Sequence, residues 1–229
     1  MRIYAMLLVL LISSASHAEI MCYRLEQGDE ISMLEWHENQ ITANNIEIKS
    51  INKTSDITHN LMCDSTYDCR SWTYHNAELN INLEFEKQQN RIICQGIFEG
   101  NTVYKEFDTV GYKWLQFHGF ALESFLKSSE DEIEFISILP DKMKLYKLRA
   151  RKQQTETIDV DGQTMRAICV NVSLTGFMSR LGHVSYWFRD TDHRFVKFET
   201  QVKVPGYPKS TYQLIHSELS TERTAHILP

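Results

Sequence analysis

Apolar and polar residues alternate with a period of two through most of this 229-residue chain, and this pattern most constrains its fold. In the clearest example, Ile81, Leu83 and Phe85 alternate with polar residues. Such a pattern is typical of a strand with one buried and one solvated face. Turn signals such as Asp161-Gly162 separate the strands, whereas the polar residues 52–60 are predicted to be a loop. We therefore predict a mainly β fold, a curved antiparallel sheet in the form of a half-barrel or open barrel.

One segment shows a helical period instead, and it reads WLQFHGFALESFL from Trp114 to Leu126. Its large apolar residues recur at steps of three and four, as Trp114, Phe117, Ala121 and Phe125. A helix with such a stripe must bury one side against the rest of the protein. We predict a helix over about residues 114–127 that packs on the concave face of the sheet.

The first 18 residues have the features of a secretory signal peptide. Arg2 supplies a positive charge, Met6–Ile12 is an apolar run too short to span a bilayer as a mature helix, and Ser16–Ala18 fits a small-x-small cleavage site. We predict cleavage after Ala18, a periplasmic location, and a single antiparallel β domain over residues 19–229 with no further membrane span.

The N-terminus has two alternative interpretations. The segment could remain as an uncleaved anchor, or a lipid could be attached at Cys22. Lipidation is disfavoured because a lipobox has a small residue directly before the cysteine, and Met21 is not small.

The five cysteines of a chain predicted to be exported indicate disulfide bonds. The best pair is Cys63 and Cys69, which bracket a polar, turn-forming loop. A pair of Cys22 with Cys94 is a weaker prediction. It leaves Cys169, on the more polar face of its strand, as the free thiol.

Charge and motifs exclude several classes of function. The chain has 24 Lys and Arg against 30 Asp and Glu, which argues against a nucleic-acid surface. It contains no nucleophile elbow, phosphate-binding loop or zinc-protease helix, and its histidines are not at metal-ligand spacing. We predict no metal, no cofactor and no enzymatic activity. A dispersed catalytic triad, which only geometry would reveal, is the alternative.

Two stretches, Tyr186–Arg189 (YWFR) and Phe195–Glu199 (FVKFE), carry a resemblance to a group of exported bacterial proteins of unknown function. In that group a helix opening with a tryptophan precedes a long antiparallel meander. The resemblance covers about residues 72–214 and concerns packing motifs. It implies a periplasmic curved sheet around a helix, similar in outline to the half-barrels of the lipoprotein carriers LolA and LolB, and it assigns no catalytic residue.

Aromatic side chains are more numerous than the core of one thin sheet layer requires, so some are expected to line a cleft between helix and sheet. The predicted ligand-binding residues, with His118 at the mouth, are Trp114, Phe117, His118, Phe125, Tyr186, Trp187 and Phe188. The leading prediction is a periplasmic, non-enzymatic protein that binds an apolar or amphipathic ligand, such as a lipid or a lipoprotein chain. The alternative is an envelope interaction or assembly protein with a filled core, whose exposed sheet edge binds a partner strand.

Overall fold

The computed structural model describes residues 18–200 and 210–220, and most of them lie in β-strands. In chain order the elements are β1 (Ala18–Gln27), β2 (Glu30–Thr42), β3 (Asn45–Asn52), β4 (Ile57–Cys63), β5 (Cys69–Asn76), β6 (Ile81–Gln88), β7 (Arg91–Phe98), β8 (Asn101–Asp108), α1 (His118–Leu126), β9 (Glu132–Leu139), β10 (Lys144–Val160), β11 (Gln163–Leu174), β12 (His183–Arg189), β13 (Phe195–Thr200) and β14 (Ser210–Ser220). Short 3-10 turns follow β9 and β11. The predicted signal peptide and the residues after Ser220 lie outside the described residues, apart from Ala18, which begins β1.

The strands form one antiparallel sheet with the order β8-β7-β6-β5-β4-β3-β2-β1-β14-β13-β12-β11-β10-β9. Two meanders of consecutive hairpins meet in its middle, where β1 pairs with β14 and Cys22 lies opposite His216. The sheet is open, with β8 and β9 as its edges. The predicted fold class, a curved antiparallel sheet with one helix, is confirmed.

The helix begins later than predicted, at His118 rather than Trp114. The backbone before it is extended along the edge of β9, where Trp114 forms a parallel bridge with Ile136. The Leu115 amide donates to the Ile136 carbonyl at 3.0 Å, and the Trp114 amide donates to Asp68 Oδ1 at 3.0 Å. These partners satisfy backbone groups that a longer helix would satisfy internally, so the tertiary contacts override the helical period.

Helix α1 lies inside the hollow of the sheet. Gly119 packs against Trp36 of β2 and Phe195 of β13, while Lys152 of β10 stands 4.8 Å above the ring of Phe125. These strands are far apart in the sheet order, so a single helix can touch them all only if the sheet curves around it. The apolar face of α1 is therefore buried on the concave side.

A second, smaller group of buried residues lies on the opposite, convex face. This outer cluster consists of Val160, Ala167, Cys169, Trp187 and Val196. The tip of the β10–β11 hairpin folds towards it, since Asp161 accepts a hydrogen bond from Arg24 of β1 at 2.9 Å. The indole N–H of Trp187 donates to Glu156 of the same hairpin. The hairpin thereby covers apolar side chains that would otherwise face solvent.

The cysteines are distributed differently from the prediction. Cys63 and Cys69 face each other across β4 and β5, with sulfur atoms 3.2 Å apart and no bond between them, so the disulfide stays a prediction. The pairing of Cys22 with Cys94 is wrong, because five strands separate β1 from β7 in the sheet. Cys169 lies, as predicted, on the face of β11 opposite Val170 and Val172, but it is buried in the outer cluster, so its predicted non-core position is wrong.

Candidate functional site

A cavity of about 1120 Å³ lies in the hollow of the sheet, beside the start of α1. Strands from both meanders contribute to its wall. Its apolar lining residues include Leu25, Leu34, Trp36, Ile57, Phe117, Ile138, Leu148, Leu174, Phe195 and Phe198. Sites for small molecules are concave, mainly apolar and commonly about 300–1,000 Å³ in volume. This cavity is therefore large enough for a sizeable ligand.

The cavity is open at one end and closed at the other. Its exposed lining residues lie in or beside the turns that follow β1, β3, β5 and β9, and they are Gln27, Glu30, Ile31, Thr54, Glu78 and Leu139. Helix α1 occupies the opposite end. His118 was predicted to lie at the mouth, but as the first residue of α1 it lies at the closed end.

Aromatic rings form the closed end of the cavity. The ring of Trp36 lies 5.3 Å from that of Phe117 in an edge-on arrangement and 5.7 Å from that of Phe195 in a stacked one. Aromatic pairs in such geometries are stabilised beyond the burial of their area. The close approach of α1 here requires Gly119, since a Cβ would lie 2.8 Å from Phe195 and 2.9 Å from Trp36.

Two histidines sit among these rings in their neutral form. The His59 ring stacks on Trp72, with centroids 5.8 Å apart, and meets Phe117 edge-on. Burial lowers the pKa of His59 to about 3 and that of His118 to about 4. The Leu115 backbone near His118 opposes this fall in pKa, but no hydrogen bond of normal geometry reaches Nε2. Both rings are uncharged at neutral pH.

Several buried polar atoms around the cavity have no hydrogen-bond partner among the described residues. They are Trp36 Nε1, Ser55 Oγ, His59 Nδ1 and His118 Nε2, and all four residues line the cavity. Buried polar groups are nearly always hydrogen-bonded, and leaving one without a partner costs about 1–3 kcal/mol. A polar atom within the cavity would provide the partner that the protein does not.

The structure brings together three of the seven predicted ligand-binding residues. Phe117, His118 and Tyr186 line the cavity. The predicted positions of the other four are corrected, because Trp114, Phe125 and Phe188 are buried in the main core away from the lining, and Trp187 lies in the outer cluster.

The correction for Trp187 follows from the pleat of β12. Tyr186 and Phe188 face the hollow, so the residue between them faces the other side. Sequence reasoning missed the contributions of Trp36, His59, Phe195 and Tyr212 to the lining. The alternation in β2 and the FVKFE stretch contained a signal for the first and third of these.

The described residues contain neither a metal-binding group nor a serine–histidine pair around this cavity. Within residues 18–200 and 210–220, no group of three or more His, Cys, Asp or Glu side chains could hold a metal ion. In the same ranges no serine hydroxyl is hydrogen-bonded to His59 or His118; the partner of His118 Nδ1 is the Tyr186 hydroxyl, at 2.9 Å. No helix of the described chain is long and apolar enough to cross a membrane.

The open sheet, the helix in its hollow and the cavity beside that helix define a class of antiparallel β-proteins with an internal chamber. No family model and no curated protein matches the chain. Among solved structures it is similar to a β-barrel-like protein of the domain of unknown function DUF1849 from Brucella abortus, with a TM-score of 0.50 and 6% identity over 90% of this chain and 98% of that one. This likeness concerns the fold alone.

Two further solved structures show a weaker likeness. One is a putative outer membrane lipoprotein-sorting protein domain from Vibrio parahaemolyticus, with a TM-score of 0.36 and 10% identity over 91% of this chain and 86% of that one. The other is a LolA superfamily protein from Nitrosomonas europaea, with a TM-score of 0.30 and 8% identity over 91% and 87%.

Proposed function

We propose that this chain binds an apolar or amphipathic molecule, such as a lipid or the acyl chain of a lipoprotein, in the cavity beside α1, that it does so without catalysis, and that it acts in the periplasm. The observation that carries the proposal is the cavity itself, about 1120 Å³ in volume and walled largely by aliphatic and aromatic side chains. The predicted signal peptide supports the location.

The packing of the protein supports a bound ligand. Protein interiors are normally close-packed, with few voids larger than a water molecule. Because this cavity is open at one end, its apolar lining is accessible to solvent instead of being packed against protein. An acyl chain against Leu34, Leu148 and Phe198 would remove apolar area of both partners from water.

The chemistry of the lining supports binding rather than turnover. A hydrolase of the serine–histidine type needs a hydroxyl within hydrogen-bond reach of a basic imidazole. His118 Nδ1 is instead paired with the Tyr186 hydroxyl, and His59 is enclosed by rings. Neither histidine has a carboxylate partner among the described residues that would raise its basicity.

The second candidate, an envelope protein that binds a partner strand, depends on the sheet edges. Residues 113–116 already occupy part of the edge of β9, so β8 is the freer edge. The exposed side chains of β8 include Lys105 and Glu106. Charged residues on an edge strand discourage pairing with another strand, and the large cavity disagrees with a filled core. The observations therefore favour the binding of a ligand in the cavity.

The binding proposal is tested with the full secreted chain. Organic extraction and mass spectrometry of the purified protein should reveal co-purifying lipid, and the neutral fluorescent probe N-phenyl-1-naphthylamine should bind to the delipidated protein. Leu148→Trp, which fills the cavity, should weaken probe binding by about tenfold or more. Trp187→Phe is the matched control on the convex face and should bind as the wild type does. A lipid-free extract together with no probe binding would contradict the proposal.

A further inference from the structure

The charges around the cavity are all of one sign. Three carboxylate side chains line it, those of Glu30, Glu78 and Asp141, and the described lining residues include no lysine or arginine. None of the three carboxylates forms an ion pair among the described residues. Their negative charge is therefore not neutralised by a neighbouring side chain of the described protein.

These carboxylates lie at the open end. Glu30 and Glu78 are exposed beside the turns that follow β1 and β5. Asp141 lies in the 3-10 turn after β9, where its carboxylate accepts a hydrogen bond from the Tyr74 hydroxyl. An amphiphile that enters chain first would place its head group among these three residues.

The closed end offers polar groups without charge. Trp36 presents an indole N–H, and His59 and His118 are neutral imidazoles because burial lowers the pKa of each ring. An amphiphile that enters head first could form hydrogen bonds with these groups. It would meet no cation there that could compensate for the loss of water around an anion, and burying an unpaired charge is costly.

We infer that the cavity selects amphiphiles whose head group carries no negative charge, so that its ligands are neutral acylated molecules rather than fatty-acid anions or anionic phospholipids. This inference rests on the proposed function and narrows it to one class of ligand. An ester, amide or hydroxyl head group can supply hydrogen bonds at the closed end, and at the open end it is not repelled by the carboxylates. Either orientation of the ligand leads to the same selection.

Three ligands with the same chain test the inference. Oleyl alcohol, oleylamine and oleate differ only in head group, and each is titrated below its aggregation limit to displace N-phenyl-1-naphthylamine from the full secreted protein at low salt and neutral pH. Displacement by oleyl alcohol should need a concentration about tenfold or more below that for oleate, and the preference should shrink as salt is added. Oleylamine, whose ammonium group is not repelled by the carboxylates, should displace the probe better than oleate does.

Substitutions at the mouth of the cavity test whether the carboxylates affect ligand binding through their charge or through the shape of the mouth. Glu30→Lys and Glu78→Lys should each strengthen the binding of oleate relative to that of oleyl alcohol by about threefold or more. Glu84→Lys is the matched control, because it changes the net charge equally on the outward face of β6. Equal binding of oleate and oleyl alcohol by the wild type would overturn the charge selection and leave the proposed function standing. Failure of the probe and all three ligands to bind would instead overturn the proposed function.

Discussion

The Nδ1 atom of His118 lies 2.9 Å from the hydroxyl oxygen of Tyr186. This hydrogen bond connects the first residue of α1 to the middle of β12 at the closed end of the cavity. The helix contributes no side-chain cap at its start, where Phe117 precedes it. Because α1 has no side-chain cap, this hydrogen bond fixes the orientation of the helix at its start.

Tyr186→Phe should destabilise the protein by about 1–2 kcal/mol, because it leaves His118 Nδ1 without a partner in a partly buried site. The free energy of unfolding from urea titration measures the effect. Tyr104→Phe removes a hydroxyl from an exposed ring that bonds Glu106, and we expect it to change stability by less than about 0.5 kcal/mol. Equal effects of the two substitutions would show that the His118–Tyr186 contact does not stabilise the fold.

His59→Phe should make the protein less sensitive to acid. Burial lowers the pKa of His59 from 6.5 to about 3 in the folded state, so the unfolded chain binds a proton first. The contribution of this group to stability is present above pH 6.5 and is lost as the pH falls towards about 3. The unfolding free energy of the variant should therefore rise relative to that of the wild type, by at most about 1.4 kcal/mol for each pH unit below 6.5. His75→Gln, on an exposed side chain, is the control and should follow the wild-type pH profile.

Glu123→Gln should have the opposite pH signature. Burial, together with the nearby Glu38 carboxylate, raises the pKa of Glu123 on α1 from 4.5 to about 8. The contribution of the protonated side chain to stability is full below pH 4.5 and falls as the pH rises towards 8. The neutral variant lacks this loss, so its unfolding free energy relative to wild type should increase between pH 5 and pH 8. Parallel curves for the two proteins would count against this assignment, and exposed Glu130→Gln should give such parallel curves.

Gly119→Ala should destabilise the protein by about 1–3 kcal/mol, although alanine is the better helix former. The added Cβ would lie under 3 Å from ring atoms of Trp36 and Phe195, so the helix or the rings must move. Thermal or urea unfolding gives the magnitude, and N-phenyl-1-naphthylamine binding reports whether the cavity changes with it. Ser129→Ala, exposed beyond the end of α1, is the control; a stabilised Gly119→Ala protein would refute the tight packing.

Oxidation should join Cys63 to Cys69 in protein recovered from the periplasm. The two residues are direct neighbours across β4 and β5, and their sulfur atoms are already in contact. Peptide mapping by mass spectrometry without reduction should find one linked peptide pair containing both residues. Cys94 and Cys169 should remain thiols, because the residues opposite them on adjacent strands are not cysteines but Phe85 and Lys105 for Cys94 and Trp187 for Cys169. A linkage through either of these two would contradict the prediction.

The sequence predicted the fold class because local signals dominate in a meander. Asp161-Gly162 forms the two-residue turn expected of it, with Val160 opposite Gln163. The loop predicted over residues 52–60 is wrong in its second part, where β4 begins at Ile57. That strand carries His59 on the side that faces the cavity, and a histidine there breaks the apolar alternation on which the prediction depended.

The candidate site was predicted only in part, because a cavity depends on how distant strands meet. Phe117 and Tyr186 were identified from aromatic content, and the curvature of the sheet places them on one wall. Trp187 is aromatic like Tyr186 and was predicted for the same reason, but it lies on the other face of β12. Trp114 shares the helical period of α1, yet its neighbours form backbone hydrogen bonds with β9. These differences arise from tertiary contacts, which periodicity does not encode.

Because β1 pairs with β14, we expect this protein to fold in two stages. All other neighbours in the sheet follow one another in the chain, so each meander can form from contacts of short range. The central seam joins residues almost the whole described chain apart, and such long-range contacts form slowly because a large loop must close first. Until the last strand pairs with it, β1 would present an unpaired edge to other incompletely folded chains. Substitutions that weaken the β1–β14 pairing should therefore slow folding and promote aggregation more than substitutions that destabilise any single hairpin to the same extent.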